Sequence, residues 1–573
     1  MNRSRLLIGL LLGVLAILFG YSVHLALTRI YQVDECQNFY MAKVFTRGES
    51  KEFFTNSSLF LFGPLSWLAR SQLRSAEMFA AARLIFLGVF WLNLVLLAAI
   101  ASGRLLSVRG LVALVCAATL APLWDYGFEI RHDNLVVTGV LLIWWLARVK
   151  PLGIAAYFFA GVITVTLLFV AVKAVVYVIP LSFAILAFPP KGHNKRRWQL
   201  ILAWIGGAAL TAVLVRVSYG FGGAWDNYLS VFRGVSNYSA GNGSGRFAPW
   251  NTLARLLSQT PLLLALITAA IATVIGEVLQ RGKLALTWEG LLPETLLLLG
   301  ALGALIINPT PFPYNLVHLV PYAFILAFRY TVETAREVGI RKNVWPHIAA
   351  VLIFVHLVPF AVATLRHLDR SNSRQKELMR LAENLTDPVK DEVYDAIGMV
   401  LTRRTVHFHW YLHSLASALI TKPGFRVRDM LATRPAPVFI PSYRTDWLPE
   451  ADHDFIRERY VSLADDFKVL GSVLPRGGGA FETFHPGRYC VVPADLLPEQ
   501  QTGTNTISNS GDVIIGTLDG LPLANKPVQL TVGMHRLETQ GNRIPAIVWV
   551  GPILDTVPHL TPSSHRVLFV NWY

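Results

Sequence analysis

Asp34 and Glu35 stand together a few residues past the first long apolar segment, in the context Ile30-Tyr31-Gln32-Val33-Asp34-Glu35-Cys36-Gln37. Other ionisable or polar groups mark the ends of later apolar segments. Glu129, Arg131, His132 and Asp133 share one stretch, and Lys173 separates two apolar runs. Arg246 follows a glycine-rich loop, and Tyr314 lies in a proline-rich one. An ionisable residue near bilayer depth is costly, which makes it a functional candidate. A carboxylate shielded from water is tuned toward a base and can take a proton from an attacking hydroxyl. Lysine and arginine can stabilise charge developing on a phosphate leaving group. Together these groups suit transfer from a phosphate-linked lipid to an acceptor alcohol.

Each group also has a plainer reading. An acidic pair after a helix is usually solvated surface. Arg131 and Asp133 can pair and snorkel, and Lys173 can anchor a helix end at the interface. The glycines of 241–245 lack the GxxxxGK[ST] pattern and are not a phosphate loop. His407, His409 and His413 have helical spacing but no acidic partner of the HExxH kind, so packing or surface is favoured over a metal site. His132 and His318 read as structural.

The elements that must position these residues are membrane helices. Of 573 residues, 53% are hydrophobic and 15% charged, with a mean hydropathy of +0.46. Soluble chains carry about 25% charged residues, so the composition is that of a polytopic α-helical membrane protein. The net charge of +15 does not gather into an arginine-rich patch with interleaved aromatics, which argues against nucleic acid. Three cysteines without a CxxC exclude a disulfide framework or a cysteine zinc site. Apolar runs predict about eleven spans of bilayer length, at 6–27, 83–101, 110–124, 134–147, 152–170, 173–189, 198–219, 257–279, 290–307, 313–329 and 345–365. Basic residues collect on one side of these spans, as at Arg3 and Arg5, Arg104 and Arg109, Lys195 to Arg197, and Arg329 to Lys342. That side is cytoplasmic by the positive-inside rule. The N-terminus then lies in the cytoplasm, and Asp34 and its companions face outward. Two domains are expected: a membrane module over 1–366 and a soluble extracytoplasmic domain over 367–573. The second reads as mixed or helical around Lys390–Leu419. Short strands follow at 437–441, 488–492, 512–517, 527–533, 545–550 and 566–572, a mixed α/β or β-sandwich pattern.

A first helix followed by an outer loop that opens on an acidic pair resembles the GT-C superfamily of integral-membrane glycosyltransferases, of the protein O-mannosyltransferase and aminoarabinose-transferase type. Four further segments carry the likeness. Glu129-Ile130-Arg131-His132-Asp133 is similar to the family's Arg-x-Asp element, and Leu168–Lys173 with Pro180 to its lysine-bearing turn. Arg246-Phe247 is similar to its Arg-Phe element, and Pro313–Pro321 to its Tyr-rich, Pro-ended late helix. The resemblance implies a GT-C-like bundle in the inner (plasma) membrane. It also implies a polyprenyl-phosphate sugar donor, inversion at the anomeric carbon, and a lipid, glycan or protein acceptor. It gives Asp34 the role of general base, with Glu35 orienting it or the acceptor. Lys173 and Arg246 would bind the donor phosphate, Arg131 and Asp133 would shape the site, and Tyr314 would contact substrate. No metal ligand is assigned, and a divalent cation, Mg or Mn, stays open. Cys36-Gln37 and Ala174 depart from the family's pattern. A transporter or flippase of a lipid-linked solute is the alternative, although no inverted repeat is visible.

Overall fold

The computed structural model describes residues 3–47, 65–148, 153–187, 196–220, 250, 254, 258, 260–281, 292–307, 313–337, 355, 357–365, 370–406, 426–497, 514–524, 526–558, 560 and 568–569. Arg246, the glycines of 241–245 and His407, His409 and His413 lie outside them, as does most of the strand expected at 566–572. The chain divides into two compact units. The first comprises Met1–Arg29, Phe45–Leu68 and Ala80–Ser371. The second comprises Ile30–Val44, Ala69–Phe79 and Asn372–Tyr573.

The first unit is helical. α1 (Arg3–Thr28) runs 26 residues, about 39 Å at 1.5 Å per residue, enough to cross a bilayer. α2 (Val33–Thr46) begins in the second unit, and so does α3 (Ser75–Ser102). The run expected as one span at 110–124 forms two helices, α4 (Val108–Ala118) and α5 (Ala121–Tyr126). Pro122 explains the break: it sits in the first turn of α5, where its missing N–H costs nothing, and it could not continue α4. α6 (His132–Arg148) and α7 (Ile154–Val170) follow. Ala171 is extended, a 3-10 turn spans Val172–Ala174, and α8 (Val175–Ala187) resumes. Then come α9 (Arg197–Gly220), α10 (Pro261–Arg281), α11 (Leu292–Ile307) and α12 (Leu316–Glu337). Arg329, expected in a loop, lies inside α12 and pairs with the buried Glu294 of α11.

The outer surface of this unit is apolar. Ile17 is 73% exposed and Leu202 65%, where a water-soluble helix would carry polar residues. Among the described residues α1, α3 and α9 are long and apolar enough to cross a membrane, and shorter apolar helices accompany them. α7 and α9 touch through glycines. A Cβ on Gly161 would strike the Trp204 carbonyl, and one on Gly207 the Phe158 carbonyl. Small residues at reciprocal positions let the two backbones meet, the packing expected where lipid removes the hydrophobic drive.

The second unit holds two sheets. One has eight strands in the order β10-β7-β12-β5-β3-β1-β2, with β4 also on β5. Its strands are β1 (Glu392–Asp395), β2 (Arg404–Thr405), β3 (Val438–Ile440), β4 (Tyr460–Ala464), β5 (Phe467–Val473), β7 (Gly487–Pro493), β10 (Val528–Leu530) and β12 (Pro545–Trp549). β1 runs parallel to β2 and β3, and the remaining pairs are antiparallel. The second sheet is antiparallel, β6 (Gly478–Thr483), β11 (Gly533–Gln540), β8 (Ile515–Leu518) and β9 (Leu521–Pro522). Among the described residues helices α13 (Ser373–Leu385), α14 (Val427–Thr433) and α15 (Glu450–Arg459) accompany the sheets, a mixed α/β arrangement. The stretch expected to be mixed or helical from Lys390 holds β1 and β2 up to residue 406. Val393 pairs with Val438, and Tyr394 stacks on Phe439 at 4.3 Å.

Two early segments are built into this second unit. Gln375 of α13 uses its amide like a strand neighbour. Its Oε1 accepts from Tyr31 N at 2.7 Å, and its Nε2 donates to Tyr31 O at 3.0 Å. The Thr405 amide donates to Tyr40 Oη at 2.9 Å. Ser75 donates from N and Oγ to Glu383 at 2.8 and 2.6 Å. Tyr31, Phe39 and Phe79 form an aromatic cluster with centroids 4.8 and 5.3 Å apart.

Candidate functional site

In the first unit a buried run of alternating charges surrounds the start of α6. It begins at Arg29, just after α1. Arg29 donates to the Trp124 carbonyl at 2.7 Å and to Glu129 Oε1 at 3.1 Å, with its guanidinium 4.5 Å over the Phe128 ring. Glu129 is fully buried and lies 4.0 Å from Arg131. Arg131 Nε pairs with Asp133 Oδ2 at 3.2 Å. The turn that spaces these charges is held by Asn134, whose Nδ2 donates to the Tyr126 and Glu129 carbonyls, each at 2.9 Å.

Asp133 is the centre. It lies in the first turn of α6, where the helix dipole favours a negative charge. Its Oδ1 takes Lys173 Nζ from the 3-10 turn between α7 and α8. The same oxygen accepts from His318 Nε2 of α12 at 3.0 Å, and His132 Nε2 is 3.8 Å from Oδ2. A carboxylate buried this deeply needs compensation by charge and hydrogen bonds, and distant elements supply it. Tyr177 stacks on His318 at 4.5 Å and fixes the ring. Tyr314, in the 3-10 turn Pro313–Asn315, lies beneath two cations: Arg131 at 4.0 Å and Lys173 at 5.0 Å from its centroid.

Asp133, Arg131, Lys173 and Tyr314 therefore meet in one cluster. Arg131 is almost wholly buried, but the Lys173 side chain keeps 30% exposure. An ammonium has three donors, and Asp133 occupies one of them. A cation that is fixed on one side and open on the other is suited to an incoming anion. Asp133, surrounded by cations, is placed to position Lys173 and Arg131 rather than to take a proton. Arg29 and His318 are not among the expected site residues, and Glu129 is expected only as part of the stretch that carries Arg131 and Asp133. The signals were present: an arginine directly after the first span, a glutamate two residues before Arg131, and a histidine in the first turn of the late helix.

Asp34 and Glu35 belong to the second unit. Both lie in the first turn of α2, with different environments. Glu35 is fully buried, and its Oε2 accepts from the Gln32 amide at 2.9 Å, the back-reaching arm of a capping box. Asp34 is half-buried. One carboxylate thus closes the helix start, while its neighbour keeps access to solvent. Among the described residues no three His, Cys, Asp or Glu side chains group as metal ligands.

No family model matches the sequence, and no curated protein matches it. Among solved structures the chain is similar to ArnT from Cupriavidus metallidurans bound to undecaprenyl phosphate, at 12% identity over 76% of this chain and 93% of that one, with a TM-score of 0.47. It is also similar to the Archaeoglobus fulgidus oligosaccharyltransferase tethered to an acceptor peptide, at 11% identity over 91% of this chain and 76% of that one, TM-score 0.46. A further similarity is to the AglB oligosaccharyltransferase of Archaeoglobus fulgidus in complex with an inhibitory peptide and a dolichol-phosphate. There the identity is 11% over 78% of this chain and 72% of that one, with a TM-score of 0.45. Likenesses this distant assign no chemistry to the chain.

Proposed function

We propose that the chain is a glycosyltransferase that moves a sugar from a polyprenyl-phosphate donor to an acceptor hydroxyl, with inversion, on the outer face of the inner membrane. The observation that carries this reading is Lys173, held by Asp133 and the Tyr314 ring yet partly open, with Arg131 alongside. In the proposed step Asp34 accepts the proton of the acceptor hydroxyl, whose oxygen attacks the anomeric carbon. The bond from that carbon to the phosphate oxygen breaks, its electron pair leaves with the polyprenyl phosphate, and Lys173 and Arg246 hold the charge. Glu35 supports Asp34 by closing the start of α2. The acceptor is a lipid, glycan or protein, with the N-terminus in the cytoplasm and residues 367–573 in the periplasm or its equivalent. An assay of purified protein with polyprenyl-phosphate sugars tests this. Asp34→Asn should lower transfer by about 10³-fold, the range of a general base. Lys173→Ala should weaken donor binding about tenfold or more. Undiminished transfer by Asp34→Asn, or unchanged donor affinity in Lys173→Ala, would overturn the respective role.

A further inference from the structure

The second unit contains a cavity of about 260 Å³ where the end of α15 meets β5, β6, β7 and β12. Its lining includes Glu458, Arg459, Ser472, Glu482 and Phe484. Arg459 is unusual. Its guanidinium lies over two aromatic rings, Phe455 at 4.1 Å and Phe484 at 3.7 Å from the centroids. It makes no side-chain hydrogen bond or ion pair with another described residue. Stacking fixes the plane of the guanidinium and leaves its N–H donors at the edge. The side chains of Glu458, Ser472 and Glu482 likewise have no hydrogen-bond partner among the described residues.

We infer that this cavity is a binding site for a neutral saccharide. A planar pair of N–H donors matches two adjacent hydroxyl oxygens, and carboxylates accept the hydroxyl protons in return. The hydroxyl of Ser472 can do either. The apolar ring edges suit the C–H faces of a pyranose. An anion fits less well, because one arginine stands against two glutamates in the lining. The volume is that of one sugar ring rather than an extended chain. On the transferase reading this is a hold on a glycan acceptor, separate from the charge cluster around Asp133. The binding itself does not depend on that reading.

The test is saturation-transfer NMR on the full-length protein in detergent. The probes are methyl glucoside, galactoside and mannoside, with glucuronate and inorganic phosphate as anions. At least one neutral hexoside should give signal. Arg459→Gln and Phe484→Ala, shown by thermal melting to be folded, should each weaken it about tenfold, the worth of one strong polar contact. Lys173→Ala should leave it unchanged. No hexoside signal, a signal indifferent to Arg459→Gln, or binding of the anions alone would overturn the inference. Loss of the signal in Lys173→Ala would do the same, by placing the sugar at the transfer site. Failure of transfer in the donor assay, with hexoside binding intact, would instead count against the transferase reading.

Discussion

Asp133 in the helical unit and Asp395 in the mixed unit are both buried carboxylates, 1% and 3% exposed, and they are satisfied in opposite ways. Asp395 accepts only local amides. Ile397 and Gly398 donate to Oδ1, each at 3.1 Å, and Val400 donates to Oδ2 at 2.8 Å, closing the turn after β1. Asp133 instead collects side chains: the neighbouring Arg131, Lys173 from the 3-10 turn, and His318 from a helix 185 residues away in sequence. A turn needs backbone partners and any nearby chain can supply them. A lysine and a histidine brought from afar to a carboxylate already paired with a neighbouring arginine are not needed for a turn. They suit the proposed anion site, with the carboxylate holding Arg131 and Lys173 in place.

The largest effect should come from Asp133→Ala, which leaves buried cations uncompensated. Thermal unfolding in detergent should show a loss of about 3–5 kcal/mol. A second change, Asp133→Asn with Lys173→Met, should recover part of the loss if the two charges are coupled. Strict additivity would break the contrast with Asp395. Asp395→Ala should cost about 3 kcal/mol by orphaning backbone amides. No side-chain change elsewhere should rescue it. Burial pushes the Asp395 carboxyl above its ordinary value of 3.8, against the backbone amides that favour the charge. Because the folded value is the raised one, the contribution is complete below the unfolded value and is lost as pH rises through the folded one. Asp395→Asn should remove that slope from the melting temperature.

Smaller still is Glu35→Gln. The amide oxygen can replace the capping bond, so stability should change by less than about 1 kcal/mol. Transfer should survive, unlike in Asp34→Asn; a matching loss of activity would make Glu35 more than a cap. The least effect is expected at His535. Burial opposes its charge, but the Asp519 carboxylate at 2.6 Å and the Thr531 carbonyl at 2.8 Å raise it above 6.5. Its contribution is complete below 6.5 and fades as pH rises through the folded value. His535→Asn should flatten that part of a melting-temperature profile.

What the sequence made legible follows from locality. The division at Lys173 could be read because one charge interrupts two apolar runs, and it appears as a 3-10 turn. The break at Pro122 was hidden because the run through 110–124 stays apolar, and only the missing N–H reveals it. β4 escaped detection since all five of its residues are buried, so no alternation marks it. β6 opens with two glycines, which read as a turn. In the site, membrane depth singled out Asp133, Arg131 and Lys173 one at a time. Their pairing, and the part played by His318 and Arg29, depends on contacts between segments that no local pattern records.

The docking of 30–44 and 69–79 into the second unit bears on how the protein could be dissected. Tyr31, Tyr40 and Ser75 have their hydrogen-bond partners at Gln375, Thr405 and Glu383. A truncation at residue 371 would therefore not yield a simpler protein with α2 held in place. It would leave the start of α2 without the scaffold that orients Asp34. For the same reason the tail cannot be exchanged with that of another protein as an independent module: the two early segments would have to travel with it.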